Sequence, residues 1–117
     1  MRVVILNPRG TAARFNQPAG IAIDAAGNLY VTEWSNHRVR KIQPDGTVTT
    51  VAGTNTAGFK DGLGSAALLN TPDGITVDGD GNLYIAEFGN HAVRKITPSG
   101  GVLTLAGQGV PGYADGD

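Results

Sequence analysis

The run Gly20-Ile21-Ala22-Ile23-Asp24-Ala25-Ala26-Gly27-Asn28-Leu29-Tyr30 returns as Gly74-Ile75-Thr76-Val77-Asp78-Gly79-Asp80-Gly81-Asn82-Leu83-Tyr84, at the 54-residue spacing that also separates Asn16 from Asn70. The register holds without a gap to the C-terminus, and about half of the aligned positions are identical. Each copy continues through Asn36-His37 or Asn90-His91, then Val39-Arg40-Lys41-Ile42 or Val93-Arg94-Lys95-Ile96, then Pro44 and Gly46 or Pro98 and Gly100. The chain therefore divides into periods 10–63 and 64–117, with residues 1–9 left over. Self-similarity at such a period marks a repeat architecture, whose units bury their faces against neighbours.

Inside one period the β-branched and aromatic residues gather in four short runs closed by turn residues. Strands are expected over 20–24, 28–34, 37–43 and 47–53, joined by turns at 25–27, 35–36 and 44–46. Such short links imply an antiparallel four-stranded meander. Ile21-Ala22-Ile23 and Leu29-Tyr30-Val31 are apolar without alternation, so these strands expect cover on both faces, as in sheets stacked around an axis. Val39 and Ile42 stand three apart, which predicts a β-bulge or an early end in the third strand.

The pattern Asn-x-Pro-x-Gly-Ile, Asp-x-x-Gly-Asn-Leu-Tyr, Asn-His-x-Val-Arg-Lys-Ile-x-Pro-x-Gly resembles the NHL repeat, twice over residues 10–117. Glu33 and Glu87 stand where the family commonly has Asp, and Val39 and Val93 where it has Ile or Leu. The resemblance implies an all-β fold of two four-stranded antiparallel blades of an NHL-type β-propeller. Propellers use about four to eight blades, so that the last sheet packs on the first. Two blades leave apolar sheet faces that call for a partner. The expected partner is the chain itself, a homo-oligomer with three copies closing about six blades, or two or four copies as alternatives. The competing expectation is a piece of a longer array. Residues 1–9, with Arg2-Val3-Val4-Ile5-Leu6, read as an extra strand, either a closure clasp or the remnant of a preceding blade.

Composition narrows the chemistry. A formal charge of −1 supplies no basic field for nucleic acid, and the zero cysteine count excludes disulfide frameworks and thiolate metal sites. Val3 to Leu6 is too short an apolar run for a membrane span. Gly107-Gln108-Gly109-Val110-Pro111-Gly112 has the letters of a dinucleotide fingerprint, but it carries Pro111 and opens no helix. Asp78-Gly79-Asp80-Gly81-Asn82 spaces oxygens like a calcium loop, yet Leu83 and Gly89 occupy the positions that need glycine and an acid. A hairpin turn in which Asp caps backbone amides is the better account. Arg38, Arg40, Lys41, Arg94 and Lys95 form a basic stripe, offset by Asp45, Asp61, Asp73 and Asp115 and expected to guard an exposed strand edge.

The candidate site is the turn between second and third strands of each blade. Glu33, Trp34, Asn36 and His37, with Glu87, Phe88, Asn90 and His91, are expected near one rim, beside the loops 54–71 and 108–117. Aromatics with a few polar groups are typical of ligand pockets, and inter-blade packing is the bland alternative. The two histidines recur in register, which favours structural hydrogen bonds over metal or base chemistry. No catalytic residue, metal or cofactor is therefore assigned, and the expected function is a non-catalytic scaffold binding protein or a small ligand. The alternative is a metal-dependent hydrolase- or lyase-like propeller with its site at the central channel, as the family resemblance allows.

Overall fold

The computed structural model describes residues 10, 13–107 and 109; the strand expected over 1–9, most of the 107–112 run, the loop over 110–117 and Asp115 lie outside the described residues. Strands β1 Pro18–Ile23, β2 Leu29–Glu33, β3 Arg38–Ile42 and β4 Val48–Gly53 form the first blade, hydrogen-bonded in sequence order. The second blade repeats this as β6 Pro72–Val77, β7 Leu83–Glu87, β8 Ala92–Ile96 and β9 Gly101–Ala106. All pairings are antiparallel, so the expected meander is what forms.

A fifth strand, β5 at Gly62–Leu63, adds to the outer edge of the second sheet by pairing with β9. The Gly64 amide then donates to the Gly100 carbonyl at 2.9 Å, and Gly10 does the same to Gly46 at 3.0 Å in the first blade. The connection between blades thus grips the outer edge of the sheet it enters before crossing to that sheet's inner strand.

The tight β1–β2 turn follows from spacing. Asp24 Oδ1 accepts the amides of Ala26 and Asn28, and its Oδ2 accepts Asn28 Nδ2 and the Tyr30 hydroxyl. Asp78 repeats every one of these bonds with Asp80, Asn82 and Tyr84. Both carboxylates are occupied in closing a turn, in keeping with the capping account.

The expected irregularity in the third strand lies elsewhere. Val39 opposes Ala52 while Arg40 opposes Thr50, so the extra residue is Val51 in β4, and Leu105 takes its place in β9. Val39 and Ile42 occupy opposite faces of an unbroken strand: Val39 belongs to the core between the blades, and Ile42 lies beside Leu29 and Ile23 on the first blade's other face. Within the chain, one face of the first blade lies on the opposite face of the second. Tyr30, Val39 and Ala52 meet Leu83, Ile85, Ile96 and Val102, with Ala67 and Leu69 of the connection filling the wedge. Full burial of each such aliphatic side chain contributes about 1.5–3 kcal/mol, so this seam is the core.

Gly20 allows the closest backbone approach at the seam. A Cβ there would stand 2.5 Å from the Asp73 carbonyl oxygen, and the Thr32 hydroxyl bridges the same point, accepting from the Gly20 amide at 2.8 Å and donating to Asp73 O at 2.7 Å.

Candidate functional site

The turns at residues 34–37 and 88–91 lie on one rim, held there by the segments that lead into β1 and β6. Trp34 donates its amide to the Gln17 carbonyl at 2.9 Å, and Phe88 donates to Thr71 at 3.0 Å. Gln17, Thr71, His37 and His91 all have φ near +50°. Four non-glycine residues in the left-handed region, at two pairs of matching positions, mark a backbone course enforced by its surroundings.

The enforcing group is a buried glutamate. Glu33 Oε2 accepts the Asn16 amide and Asn36 Nδ2, both at 2.8 Å, while Oε1 accepts Arg38 Nε at 2.6 Å and Arg40 Nη1 at 2.9 Å. In the second blade Glu87 Oε2 accepts the Asn70 amide and Asn90 Nδ2, both at 2.7 Å, and Oε1 accepts Arg94 Nη1 at 2.6 Å. Burial raises the Glu33 carboxyl, but the bonds from Arg38, Arg40, Asn16 and Asn36 outweigh it and hold the group below its ordinary value. Each glutamate therefore ties the lead-in segment, the rim turn and the third strand together, with both oxygens used.

Arg94 is fully buried, and besides Glu87 it donates to the Lys60 and Leu68 carbonyls and to Asp61. Arg40 is buried too, donating to the Arg14 carbonyl and lying 5.1 Å from the centre of the Phe15 ring; Phe59 covers Arg94 at 4.9 Å. The expectation of a basic stripe guarding an exposed edge is corrected here. Strands β3 and β8 are interior to their sheets, and Arg40 and Arg94 turn inward to neutralise buried glutamates. A repeated Glu-x6-Arg spacing, from 33 to 40 and from 87 to 94, carried that signal in the sequence.

The histidines divide. His37 Nδ1 accepts the Thr71 amide at 2.9 Å, a bond from one blade to the lead-in of the next. His91 is exposed, and no hydrogen bond to its imidazole is found among the described residues; its nearest ring neighbour is Phe88, at 6.4 Å between centres. Trp34 and Phe88 lie 6.2 Å apart across the seam, with Trp34 40% and Phe88 65% exposed. The structure thus assembles all eight rim residues, but it buries Glu33, Glu87 and Asn90 and leaves the two aromatics and His91 facing outward.

An open cavity of about 330 Å³ adjoins Phe88 and His91 and reaches across the sheet to Asp73, Ala86, Val93, Ala106 and Gly107. Among the described residues, no three His, Asp or Glu side chains gather as a metal-ligand set.

Comparison with known proteins agrees with this architecture. The NHL repeat signature matches residues 15–42 and 69–96. The chloroplastic protein SUPPRESSOR OF QUENCHING 1 of Arabidopsis thaliana is 35% identical over 106 residues, which are 86% of this chain and 10% of that protein. An auxiliary nutrient binding protein from Bacteroides thetaiotaomicron superposes with a TM-score of 0.75 at 26% identity, over 83% of this chain and 28% of that one. A virginiamycin B lyase from Staphylococcus aureus superposes with a TM-score of 0.57 at 26% identity, over 74% of this chain and 26% of that one. The chain therefore spans about a tenth of that curated relative and about a quarter of each similar structure.

Proposed function

This chain belongs to the NHL repeat family, and from that premise we propose that it is a non-catalytic propeller module, completed by further copies of itself, that binds a protein or small ligand at its rim. One observation carries the reading: Trp34 and Phe88 stand side by side and exposed, while the carboxylates beneath them spend both oxygens on Arg, Asn and backbone partners. Exposed aromatics offer a large contact area at low entropic cost. A glutamate locked in this way is a poor base, nucleophile or ligand, because its proton affinity and lone pairs are already committed. The similar nutrient binding protein supports a binding role, whereas the similar lyase supports the enzymatic alternative.

Completion of the ring is part of the same proposal. Ile21 and Ile23 are 63% and 62% exposed on one outer face, and Val93 is 39% exposed on the other. Three copies would supply six blades, within the usual range.

The test is the solution mass by light scattering over a concentration series, alongside calorimetric titration with Ca²⁺ and Zn²⁺. A stable mass near three chains, with no stoichiometric metal uptake, is the expected result. A folded single chain at all concentrations overturns self-assembly and leaves the ring to be completed within a longer polypeptide. Tight uptake of one metal that raises the melting temperature overturns the non-catalytic assignment in favour of the hydrolase- or lyase-like one.

A further inference from the structure

Resting on the proposed self-assembly, we infer that the cavity on the second blade is the socket of the seam between copies, and that residues 15–18 of a second copy fill it. The internal repeat supplies the argument, since one seam of the same kind already exists inside the chain. There Val39 and Ala52 of the first blade, followed by the buried Gly53, share one core cluster with Leu69, and His37 accepts the Thr71 amide. Val39 and Ala52 are 0% exposed as a result, and Leu69 and Pro72 are likewise fully buried.

The 54-residue shift turns that socket into Val93, Ala106, Gly107 and His91, all of which line the cavity or face solvent. The same shift turns the plug into Phe15, Asn16, Gln17 and Pro18, all exposed. Both halves of a second seam are therefore present on one chain, and among the described residues they are unmated. Even the backbone is preset: Gln17 and His91 carry φ of 51° and 50°, where Thr71 and His37, which do mate, carry 52° and 54°. In the assembled seam the Gln17 amide of the second copy donates to His91 Nδ1, as Thr71 donates to His37. No acceptor for that amide is found among the described residues of its own chain.

This contact is head-to-tail, so it closes into a ring only at a fixed copy number and leaves no patch that pairs with itself. One of its differences from the inner seam removes a hydrogen-bonded bridge. Ala86 stands where Thr32 bridges Gly20 to the Asp73 carbonyl, so the seam between copies lacks that hydroxyl and is the weaker of the two.

The test uses two variants with damage at opposite ends, Val93→Asp in the socket and Pro18→Arg in the plug, with far-UV spectra confirming the sheets. At a concentration where the wild type is fully assembled, each variant alone is expected to run as a single chain. Mixed in equal amounts, they are expected to form a two-chain species, because the intact plug of Val93→Asp fits the intact socket of Pro18→Arg and both free ends are dead. If both variants keep the wild-type mass, the socket is overturned while self-assembly stands. If both are single chains that give no two-chain species even when concentrated, head-to-tail pairing is overturned. A single-chain wild type overturns the self-assembly reading itself and this inference with it. Should either variant lose its sheets, His91→Ala serves instead, and it is expected to raise the dissociation midpoint about 2- to 10-fold per seam, the worth of one hydrogen bond; an unchanged midpoint overturns the proposal.

Discussion

Adding one methyl group at Gly20 tests whether the two blades touch as described. In Gly20→Ala the new Cβ meets the Asp73 carbonyl oxygen at 2.5 Å, Ile75 Cγ2 at 3.1 Å and Thr32 Oγ1 at 3.2 Å. The first contact is with backbone and cannot be relieved by a rotamer change, so the blades must part by several tenths of an ångström. Overpacking of this kind costs about 1–3 kcal/mol. Replacing glycine also stiffens the unfolded chain, which stabilises by about 0.4–1 kcal/mol and would blur the result. The repeat supplies its own control: at Gly74 the added Cβ meets only the Ala86 Cβ, at an ordinary 3.7 Å, so Gly74→Ala receives the same entropic gain without the clash. The difference between the variants therefore isolates the seam at about 1–3 kcal/mol, or about 4–20 °C in melting temperature for a domain of this size. The assay is thermal unfolding by circular dichroism, diluted until scattering reports single chains. Equal melting temperatures would refute the close approach of β1 and β6.

Three further outcomes follow from the hydrogen bonds of the blades and their turns. Glu87→Ala leaves Arg94 with the half-exposed Asp61 as its carboxylate partner and frees the Asn70 amide and Asn90 from theirs, and is expected to cost up to about 3–5 kcal/mol in urea unfolding, the range for breaking one side of a buried pair. Thr32→Val keeps the shape but removes the partner of the Gly20 amide and the Asp73 carbonyl; a loss of about 1–3 kcal/mol is expected, and the same measurement checks it. Hydrogen bonds from the Asn82 side chain and amide draw the Asp78 carboxyl down from 3.8 to about 2, and Asn28 lowers Asp24 in the same manner. A carboxyl depressed in the folded state stabilises fully above about pH 4 and loses that contribution as pH falls toward about 2. The melting temperature should drop across that window, and less steeply in Asp78→Asn; a parallel drop would show that the turn is not responsible.

Much of the fold was open to reading because it is locally encoded. The Asp24 turn depends on groups two, four and six residues away, and glycine and β-branched residues punctuate the strands at short range. The candidate site was only half readable. Its membership was apparent from repetition, but the burial of Glu33 and Glu87 was not, since it depends on Arg40 and Arg94 arriving from the neighbouring strand. Charged residues on an interior strand look the same in sequence as charged residues on an edge. The fifth strand was also hidden, because Gly62–Leu63 has no strand signature and pairs only because the chain passes the edge of β9.

The amino-acid sequence alone determined the blade: its period, its four core strands, its turns and the family to which it belongs. Only the tertiary structure decided which blade faces are covered. Val39 and Val93 are the same residue in the same local motif, yet one is sealed and the other 39% exposed, because burial belongs to the neighbour stacked on a face and not to the residue that occupies it.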